Sequence, residues 1–292
     1  MNRHAYLIMA HSNPNQLLKL LTLLDDDRND IFLHIDAKSD IDKHSFADIV
    51  KKSKLITIES IPVFWAEYSQ VEVELRLLEA ATKENHYKYY HLLSGLDLPI
   101  KSQDQIHSFY KDEERLFIGT APGEGKYQLS HVMYSYPLLK LKTYRKSIIL
   151  KVLNEILVQI QKILKINNVS KFMRNGMHFY DGWTWFSITD DFSRYVLQNE
   201  KLIKQLFKRA KAPDEMFLQT LAMNSHFKER LASISNLKNG SMRCIDWTRG
   251  KPYTYRISDL DELMDSPCLF ARKFDENVDN DIIIQLYNNL NR

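Results

Sequence analysis

The sequence predicts an α/β fold in which a mostly parallel central sheet is flanked by helices. Over residues 1–120, short apolar runs alternate with longer segments whose apolar residues recur at helical spacing. This alternation is typical of parallel sheets, because parallel strands are joined by helical crossovers. Residues 137–174 break the alternation with Lys and Arg between recurring Leu and Ile, which predicts a basic amphipathic helical insertion.

The elements are predicted in chain order from these patterns. We expect strands at 5–10, 30–36, 54–59, 87–94, 115–120, 182–189 and from 243 into a turn. We expect helices after Pro14, at 46–52, 69–84 with Ser69 as N-cap, 103–111, 190–208, 213–224 and 279–290. Ligands of such sheets bind beyond the carboxyl ends of the strands, so the turns after 10, 36 and 94 are where we look for a site.

Size and composition are those of an ordinary soluble globular protein. The 292 residues are 44% apolar and 26% charged, with a formal net charge of +3. We expect one domain over 1–292, with one half at 1–120 and the other at 180–292. No Gly-rich phosphate loop occurs, which excludes that class of nucleotide site. The small net charge, with aromatics not interleaved among the basic residues, argues against nucleic acid as a partner.

The expected location is cytoplasmic. Two cysteines, Cys244 and Cys268, are too few for a disulfide framework and favour a reducing compartment. No run of about 18 apolar residues is present, and the N-terminus does not resemble a signal peptide. The basic segment 140–174 predicts peripheral contact with anionic lipid at the inner face of the plasma membrane; a solvated insertion or a dimer contact is the alternative.

Polar residues close two of the predicted strands. His34 and Asp36 lie two residues apart and so share a face, where they suit the polar edges of a base and a ribose. Asp97 follows the strand at 87–94 and could hold a ribose, a sugar hydroxyl or a metal. An ordinary turn is the alternative in each case, because Asp bonds its own backbone in turns.

Cations cluster in the last fifth of the chain. Arg272 and Lys273 adjoin within an apolar frame, and Arg249 and Arg256 precede them. Such cations at a cleft would neutralise a phosphate or a pyrophosphate leaving group, and a basic surface patch is the alternative. No metal site is convincing, because the acidic run at 24–30 has the composition of an exposed turn.

Aromatic and acidic residues complete the candidates. Trp183 and Trp185 share one face of a predicted strand, where they would stack on a sugar or base or pack in the core. Asp214 and Glu215 follow Pro213 in the first turn of a predicted helix, where acids commonly cap. The pattern leaves open whether one of them is a catalytic carboxylate.

Six segments in order resemble the core-2/I-branching β-1,6-N-acetylglucosaminyltransferases, glycosyltransferase family 14, which are related to the peptide O-xylosyltransferases. They are "AYLIMAHSNPNQLLKLL", "LHIDAKSD", "LLSGLDLPIKS", "GWTWFSIT", "APDEMFLQTL" and "SPCLFARKFDENVD". The resemblance implies a GT-A-like fold, a nucleotide-sugar donor that is usually UDP-linked, inversion at the anomeric carbon, and no metal or other cofactor. With few cysteines and no animal-type membrane anchor, the chain is identified as a bacterial cytoplasmic member.

The resemblance implies a nucleotide-sugar-binding half at 1–120 and an acceptor- and phosphate-binding half at 180–292, and it also implies roles for individual residues. Glu215 would be the catalytic base, and Lys273 with Arg272 would contact the donor phosphates, with Arg256 or Arg249 as a further cation. The remaining residues would line the nucleotide and donor sugar (His11, His34, Asp36, Asp97) or contact sugar and acceptor (Trp183, Thr184, Trp185, Asp214). The function so implied is transfer of a sugar to a glycan acceptor, lipid-linked or free, in bacterial surface polysaccharide synthesis; the alternative is an inactive nucleotide- or polyanion-binding protein.

Overall fold

A computed structural model describes residues 3–46, 48–123, 128–234 and 236–291. The strands are β1 His4–Ala10, β2 Asn29–Ile35, β3 Lys54–Thr57, β4 Tyr89–Ser94, β5 Asp97–Pro99, β6 Phe117–Thr120, β7 Gly182–Ile188, β8 Arg243–Ile245 and β9 Phe270–Arg272. The helices are α1 Pro14–Leu24, α2 Ser69–Glu84, α3 Gln103–Tyr110, α4 Leu129–Met133, α5 Ile148–Ile163, α6 Ser170–Arg174, α7 Asp190–Gln198, α8 Glu200–Phe207, α9 Phe217–Met223, α10 Leu237–Ser241, α11 Leu260–Asp265 and α12 Asn280–Leu290.

The strands form two sheets. The larger has the order β3-β2-β1-β4-β7-β6, and its first four strands are parallel. The smaller has the order β5-β9-β8. The predicted class, a mostly parallel sheet flanked by helices, is confirmed. The alternation did not reveal that β7 runs antiparallel to both of its neighbours, which sets the amino end of β7 beside the carboxyl ends of β1 and β4.

Apolar side chains cover both faces of the larger sheet. In β1, Ala5 and Leu7 face a core built with α2, α7 and α9, while Tyr6 and Ile8 face a second core built with α1, α12 and the smaller sheet. Alternate residues of a strand point to opposite faces, so a strand buried on both sides reads as the continuous apolar run seen here. The sheet is therefore the rigid support from which the loops at its edge project.

Three local predictions differ from the structure. Residues 43–46 form a short 3₁₀ turn and 48–53 are turn and bend instead of the helix predicted over 46–52; Ala47 lies outside the described residues. Ser69 is the first helical residue of α2, and its hydroxyl accepts a hydrogen bond from the Phe64 amide, so it is not the N-cap. The helix predicted from 213 begins at Phe217, after a separate 3₁₀ turn, Pro213–Glu215.

The basic insertion folds as two 3₁₀ turns, Pro137–Lys140 and Tyr144–Lys146, followed by α5 and α6. Ser147 caps α5 by accepting a hydrogen bond from the Leu150 amide at 3.2 Å. A small core of Tyr136, Leu139, Tyr144 and Val158 holds the insertion together. None of the helices in the described part of the chain is long and apolar enough to cross a membrane.

Candidate active site

The sequence-predicted residues converge at the edge where β1, β2 and β4 end and β7 begins. His11 directly follows β1, and Asp97 follows β4 by three residues. Thr184 and Trp185 lie in the first half of β7. Carboxyl ends of parallel strands are where the ligands of open α/β sheets bind, so this edge fits the expected site.

Glu215 is presented by a 3₁₀ turn that is held on both sides. Ala212 adopts a left-handed conformation with φ of 47°, and its amide donates to the Ala66 carbonyl at 2.8 Å. Pro213 then fixes the first position of the turn. The turn therefore separates the two acids: Asp214 is buried, while Glu215 retains access to solvent.

Burial raises the pKa of both acids. The pKa of Asp214 rises to about 6 through loss of solvation, although the Thr184 hydroxyl, which donates to it at 2.9 Å, opposes the rise. The pKa of Glu215 rises to about 7 through loss of solvation and through the neighbouring Asp214 charge. Gln128 opposes this second rise by donating to Glu215 at 3.2 Å. A carboxylate poised near neutral pH is suited to general-base work.

The structure adds residues to this acidic group that the sequence analysis did not find. Gln70, in α2, donates to Asp214 at 3.1 Å. One turn further along α2, Glu74 is fully buried with neither carboxyl oxygen hydrogen-bonded, and burial and Asp214 raise its pKa well above the usual range. Asp181, just before β7, also raises the pKa of Glu215. Of these residues only Asp181 lies in a segment that the sequence analysis singled out, "DGWTW", and there the tryptophans were chosen as candidates.

Arg272 is held in place by Asp97. The two residues pair across β5 and β9, and the guanidinium Nη1 donates to Asp97 at 2.6 Å and also to the Ser94 hydroxyl. Its cation lies 4.3 Å from the centre of the Trp185 ring. Among the described residues only Nη1 is hydrogen-bonded, so Nε and Nη2 are available to a ligand. Asp97 thus orients Arg272, and its contact with the nucleotide or donor sugar stays a prediction.

Lys273 and His11 lie on the same side as Arg272. The Lys273 side chain has no hydrogen bond or ion pair to the described residues, and it is partly exposed. The pKa of His11 is lowered, first by loss of solvation and then by the Arg272 cation, with a smaller effect of Lys273. Both effects keep the His11 ring neutral, and they show that two cations and an imidazole share this edge.

The other two predicted cations differ in their surroundings. Arg249 donates to Asp259 at 2.8 Å and to Glu262 at 3.0 Å, and it also pairs with Asp246. Three carboxylates raise its pKa and occupy its donors, which disfavours Arg249 as the further phosphate ligand. Arg256 is exposed, and it remains the predicted further cation.

His34 and Asp36 serve the backbone at the end of β2. The His34 Nε2 accepts from the Ile61 amide at 3.1 Å, and burial lowers the pKa of this histidine to about 4. Asp36 accepts from the Lys38 amide at 2.9 Å and from the Lys38 ammonium at 2.7 Å. These hydrogen bonds give both residues a structural role at the end of β2, and their contact with a base or ribose stays a prediction.

The strand β7 joins the acidic and the basic parts of the site. Thr184 binds Asp214, and the next residue, Trp185, stacks on Arg272. Neighbouring side chains of a strand point to opposite faces, so Asp214 contacts one face of β7 and Arg272 contacts the other, at consecutive positions of the strand. The Trp183 carbonyl accepts from Gln219 at 2.9 Å, which anchors α9 to the same strand.

Two further features bear on ligands. A cavity of about 640 Å³ lies on the outer side of α2 between Glu67, Glu79 and Lys208, and none of the predicted site residues lines it. We place the site at the sheet edge instead, because the perturbed carboxylates and the oriented cation lie there. The residues that the structure describes contain no group of three or more His, Cys, Asp or Glu side chains arranged to hold a metal ion.

The chain was compared with known proteins once this geometry was established. Residues 4–264 match the model of the Branch family, core-2/I-branching enzyme. The chain belongs to the core-2/I-branching enzyme family. The resemblance to this family is therefore confirmed. The family match spans the larger sheet, β5, β8 and the carboxylate turn, and it ends before β9.

Relatives are distant in sequence but similar over nearly the whole chain. A xylosyltransferase of Ciona intestinalis is 22% identical over 97% of this chain, which covers 34% of that protein. A β-1,3-galactosyl-O-glycosyl-glycoprotein β-1,6-N-acetylglucosaminyltransferase of Homo sapiens is 24% identical over 94% of this chain and 66% of the relative. The chain thus spans from a third to two thirds of the length of these relatives.

One solved structure, S. aureus TarS 1-349, is similar at a TM-score of 0.28 and 11% identity, over 48% of this chain and 43% of that chain. This likeness is too low to support an argument about the fold. The fold class is assigned from the sheet order and the family match instead.

Proposed function

We propose that this core-2/I-branching family protein is an inverting glycosyltransferase of GT-A-like fold, with Glu215 as its catalytic base. The observation that supports this most directly is that Glu215, whose pKa is raised to about 7, adjoins an aspartate bonded to Thr184 of β7, and that the next residue of β7, Trp185, contacts the Arg272 guanidinium. Inverting transfer is a direct displacement, so one carboxylate takes the proton of the acceptor hydroxyl as the oxygen attacks. A glycoside hydrolase needs a second carboxyl across the bond.

The donor is proposed to be a UDP-linked sugar whose diphosphate leaves without a metal or other cofactor. Arg272 and Lys273 supply positive charge where negative charge develops on the leaving oxygen, and Arg256 adds to it. Asp97 holds Arg272 at 2.6 Å, so the guanidinium is oriented before the donor binds. His11 and Trp185 complete the donor side, and Trp183 and Thr184 lie towards the acceptor.

The acceptor is proposed to be a glycan of bacterial surface polysaccharide synthesis, presented on a lipid carrier to a protein that works in the cytoplasm at the inner membrane face. The basic insertion supports this, because it is joined to the turn that carries Glu215. Gln128, which binds Glu215, directly precedes α4, and the Lys211 amide donates to the His131 carbonyl in α4 at 3.0 Å. The site thus opens next to the basic segment.

The test is release of nucleoside diphosphate from a panel of nucleotide sugars, with and without EDTA. Wild type is compared with Glu215→Gln and with the control Glu229→Gln, an exposed glutamate outside the site. We expect release from one donor, unaffected by EDTA, to fall by about 10²–10⁴-fold in Glu215→Gln and to persist in the control.

Two other outcomes would change the proposal. If EDTA abolishes diphosphate release, a metal ion, and not Arg272 with Lys273, stabilises the leaving diphosphate. Nucleotide binding by calorimetry without release from any donor, even with glycan acceptors added, would favour the alternative, an inactive nucleotide- or polyanion-binding protein of the same fold.

A further inference from the structure

The outward face of α5 is apolar. Most surface helices turn their apolar stripe towards the core and their polar face to water. In α5 the buried residues are Asn154 and Val158, while large aliphatic side chains point away from the protein. Their exposed fractions are 76% for Ile148, 69% for Ile149, 54% for Val152, 44% for Leu153, 49% for Ile156, 45% for Ile160 and 78% for Ile163.

These side chains form one continuous stripe, and the stripe is held outward by its anchors. Residues 149, 152, 153, 156, 160 and 163 follow the three- and four-residue spacing of one helix face. On the opposite face, the Gln161 side chain accepts from the Ser135 amide at 2.8 Å and donates to the Ser135 carbonyl at 3.0 Å. The helix is therefore fixed in the orientation that exposes its apolar side.

Cations surround the stripe. The insertion 137–174 contains nine Lys and Arg and one acid, Glu155. All nine cations are exposed. Lys151 and Lys162 lie on the flank of α5 between the stripe and the buried side, and the other seven cations precede or follow α5 in the chain. An apolar stripe with a cationic border complements a bilayer that carries anionic headgroups. A second copy of the same surface fits worse, because two strongly cationic surfaces would repel each other.

We propose that α5 and the basic segments at its ends are a docking surface for an anionic lipid bilayer. The stripe lies among the acyl chains near the headgroups, and the lysines contact anionic phosphates. Trp65 adds an interfacial aromatic: it is 54% exposed and lies 5.7 Å from the Arg145 guanidinium.

The segment that leads into the insertion is bonded to the chain just before Pro213 at two places. The Tyr136 amide donates to the Arg209 carbonyl at 3.0 Å, and the Lys211 amide donates to the His131 carbonyl. The docking surface is independent of the proposed transferase. If both hold, the surface deepens the proposed function by bringing the protein to a bilayer that carries its lipid-linked acceptor.

The test is co-sedimentation of the full chain with vesicles of phosphatidylcholine alone and of phosphatidylcholine mixed with phosphatidylglycerol. We expect wild type to bind the anionic vesicles, to bind the neutral ones far less, and to be weakened by salt. The double variant Ile156→Glu, Ile160→Glu should bind anionic vesicles about tenfold less or weaker. Ile284→Glu, at a 39% exposed isoleucine of α12, is the matched control and should bind like wild type.

Three results would overturn the proposal. If wild type does not bind anionic vesicles, a bilayer is excluded as the partner of this surface. If wild type binds neutral and anionic vesicles equally, the lysines do not contribute to binding. A wild type that is dimeric by light scattering, with a monomeric double variant, assigns the stripe to a second copy of the chain. Circular dichroism and nucleotide binding show whether the double variant folds. Diphosphate release by the double variant from a soluble donor tests the proposed function separately.

Discussion

At the residue scale, the pKa of Glu215 is set by two neighbours that act in opposite directions. The Asp214 carboxyl disfavours a second negative charge beside it and raises the pKa of Glu215, whereas the Gln128 amide donates to Glu215 and lowers it. These effects are separable, because the two neighbours lie on different segments and each can be changed alone.

We therefore predict opposite shifts in the pH profile of two variants. A base must be ionised, so activity should fall as pH drops through the pKa of Glu215, near pH 7. Gln128→Leu should move this acid limb to higher pH, and Asp214→Asn should move it to lower pH. The measurement is kcat/KM against pH for the donor identified first. Shifts of the same sign in both variants would contradict the assignment of the limb to Glu215.

Glu74 gives a second residue-scale prediction, about stability. An unfolded glutamate titrates near 4.5, and burial raises the folded-state pKa of Glu74 well above that. The folded protein then holds a proton that the unfolded chain releases, so stability present below 4.5 is lost as pH rises towards the folded pKa. Glu74→Gln carries no such charge. We expect its stability relative to wild type to increase with pH, by at most about 1.4 kcal/mol per pH unit.

Urea unfolding of Glu74→Gln and wild type at three pH values, about 5, 6.5 and 8, measures the difference in their free energies of unfolding. Glu79→Gln is the matched control, because Glu79 is exposed on the same helix and forms an ion pair with Lys83. A difference for Glu74→Gln that stays constant over this range would mean that Glu74 is ionised in the folded protein.

At the element scale, β8 fastens the smaller sheet to the larger one through a buried arginine. Arg243 donates to the carbonyl of Phe186 in β7 at 2.8 Å and to the Ser187 hydroxyl at 3.1 Å. Its cation also lies 4.4 Å from the Phe270 ring in β9. Because Arg272 belongs to β9, Arg243 helps to fix the position of this proposed phosphate-binding cation relative to the larger sheet.

We predict that Arg243→Leu lowers the free energy of unfolding by about 2–4 kcal/mol, because buried carbonyls lose their donor. Arg115→Leu, at an exposed arginine paired with Glu113, should change it by less than about 1 kcal/mol. Chemical denaturation measures both. A cost for Arg243→Leu no larger than that for Arg115→Leu would show that packing, and not the hydrogen bonds, joins the sheets.

At the scale of the whole molecule, the site is assembled from both sheets. His11 follows β1, Glu215 precedes α9 and Lys273 follows β9, so residues more than two hundred positions apart share one edge. A ligand that bridges these parts binds only the folded chain and stabilises it by mass action.

We expect UDP to raise the melting temperature of wild type, with a stabilisation of about 2.7 kcal/mol at a hundred times its Kd. Lys273→Met should need a higher UDP concentration for the same shift, because one cation on the diphosphate is lost. Lys251→Met is the control, since Lys251 is an exposed lysine in the same part of the chain. Equal sensitivity to UDP in both variants would remove Lys273 from the proposed phosphate site.

The sequence by itself determined the features that depend on neighbouring residues. The apolar runs of β1, β2 and β4 and the helical spacing of α2 specify their elements locally, because side-chain period and burial are linked within one segment. The six family segments identified the family and named Glu215 and Arg272. The basic helix of the insertion was also predicted from its amphipathic pattern.

Only the tertiary structure decided what depends on residues far apart in the chain. In the folded chain Glu74 is buried near Asp214. Arg249 is paired with three carboxylates, whereas Arg272 keeps donors that are free among the described residues. The strand β7 runs antiparallel to β4. The tertiary structure also showed that the apolar side of α5 faces outward, where the sequence had left open lipid contact, a solvated insertion or a dimer contact. Burial, pKa and the partner of a charge are set by whatever packs against a side chain, and local spacing does not contain that information.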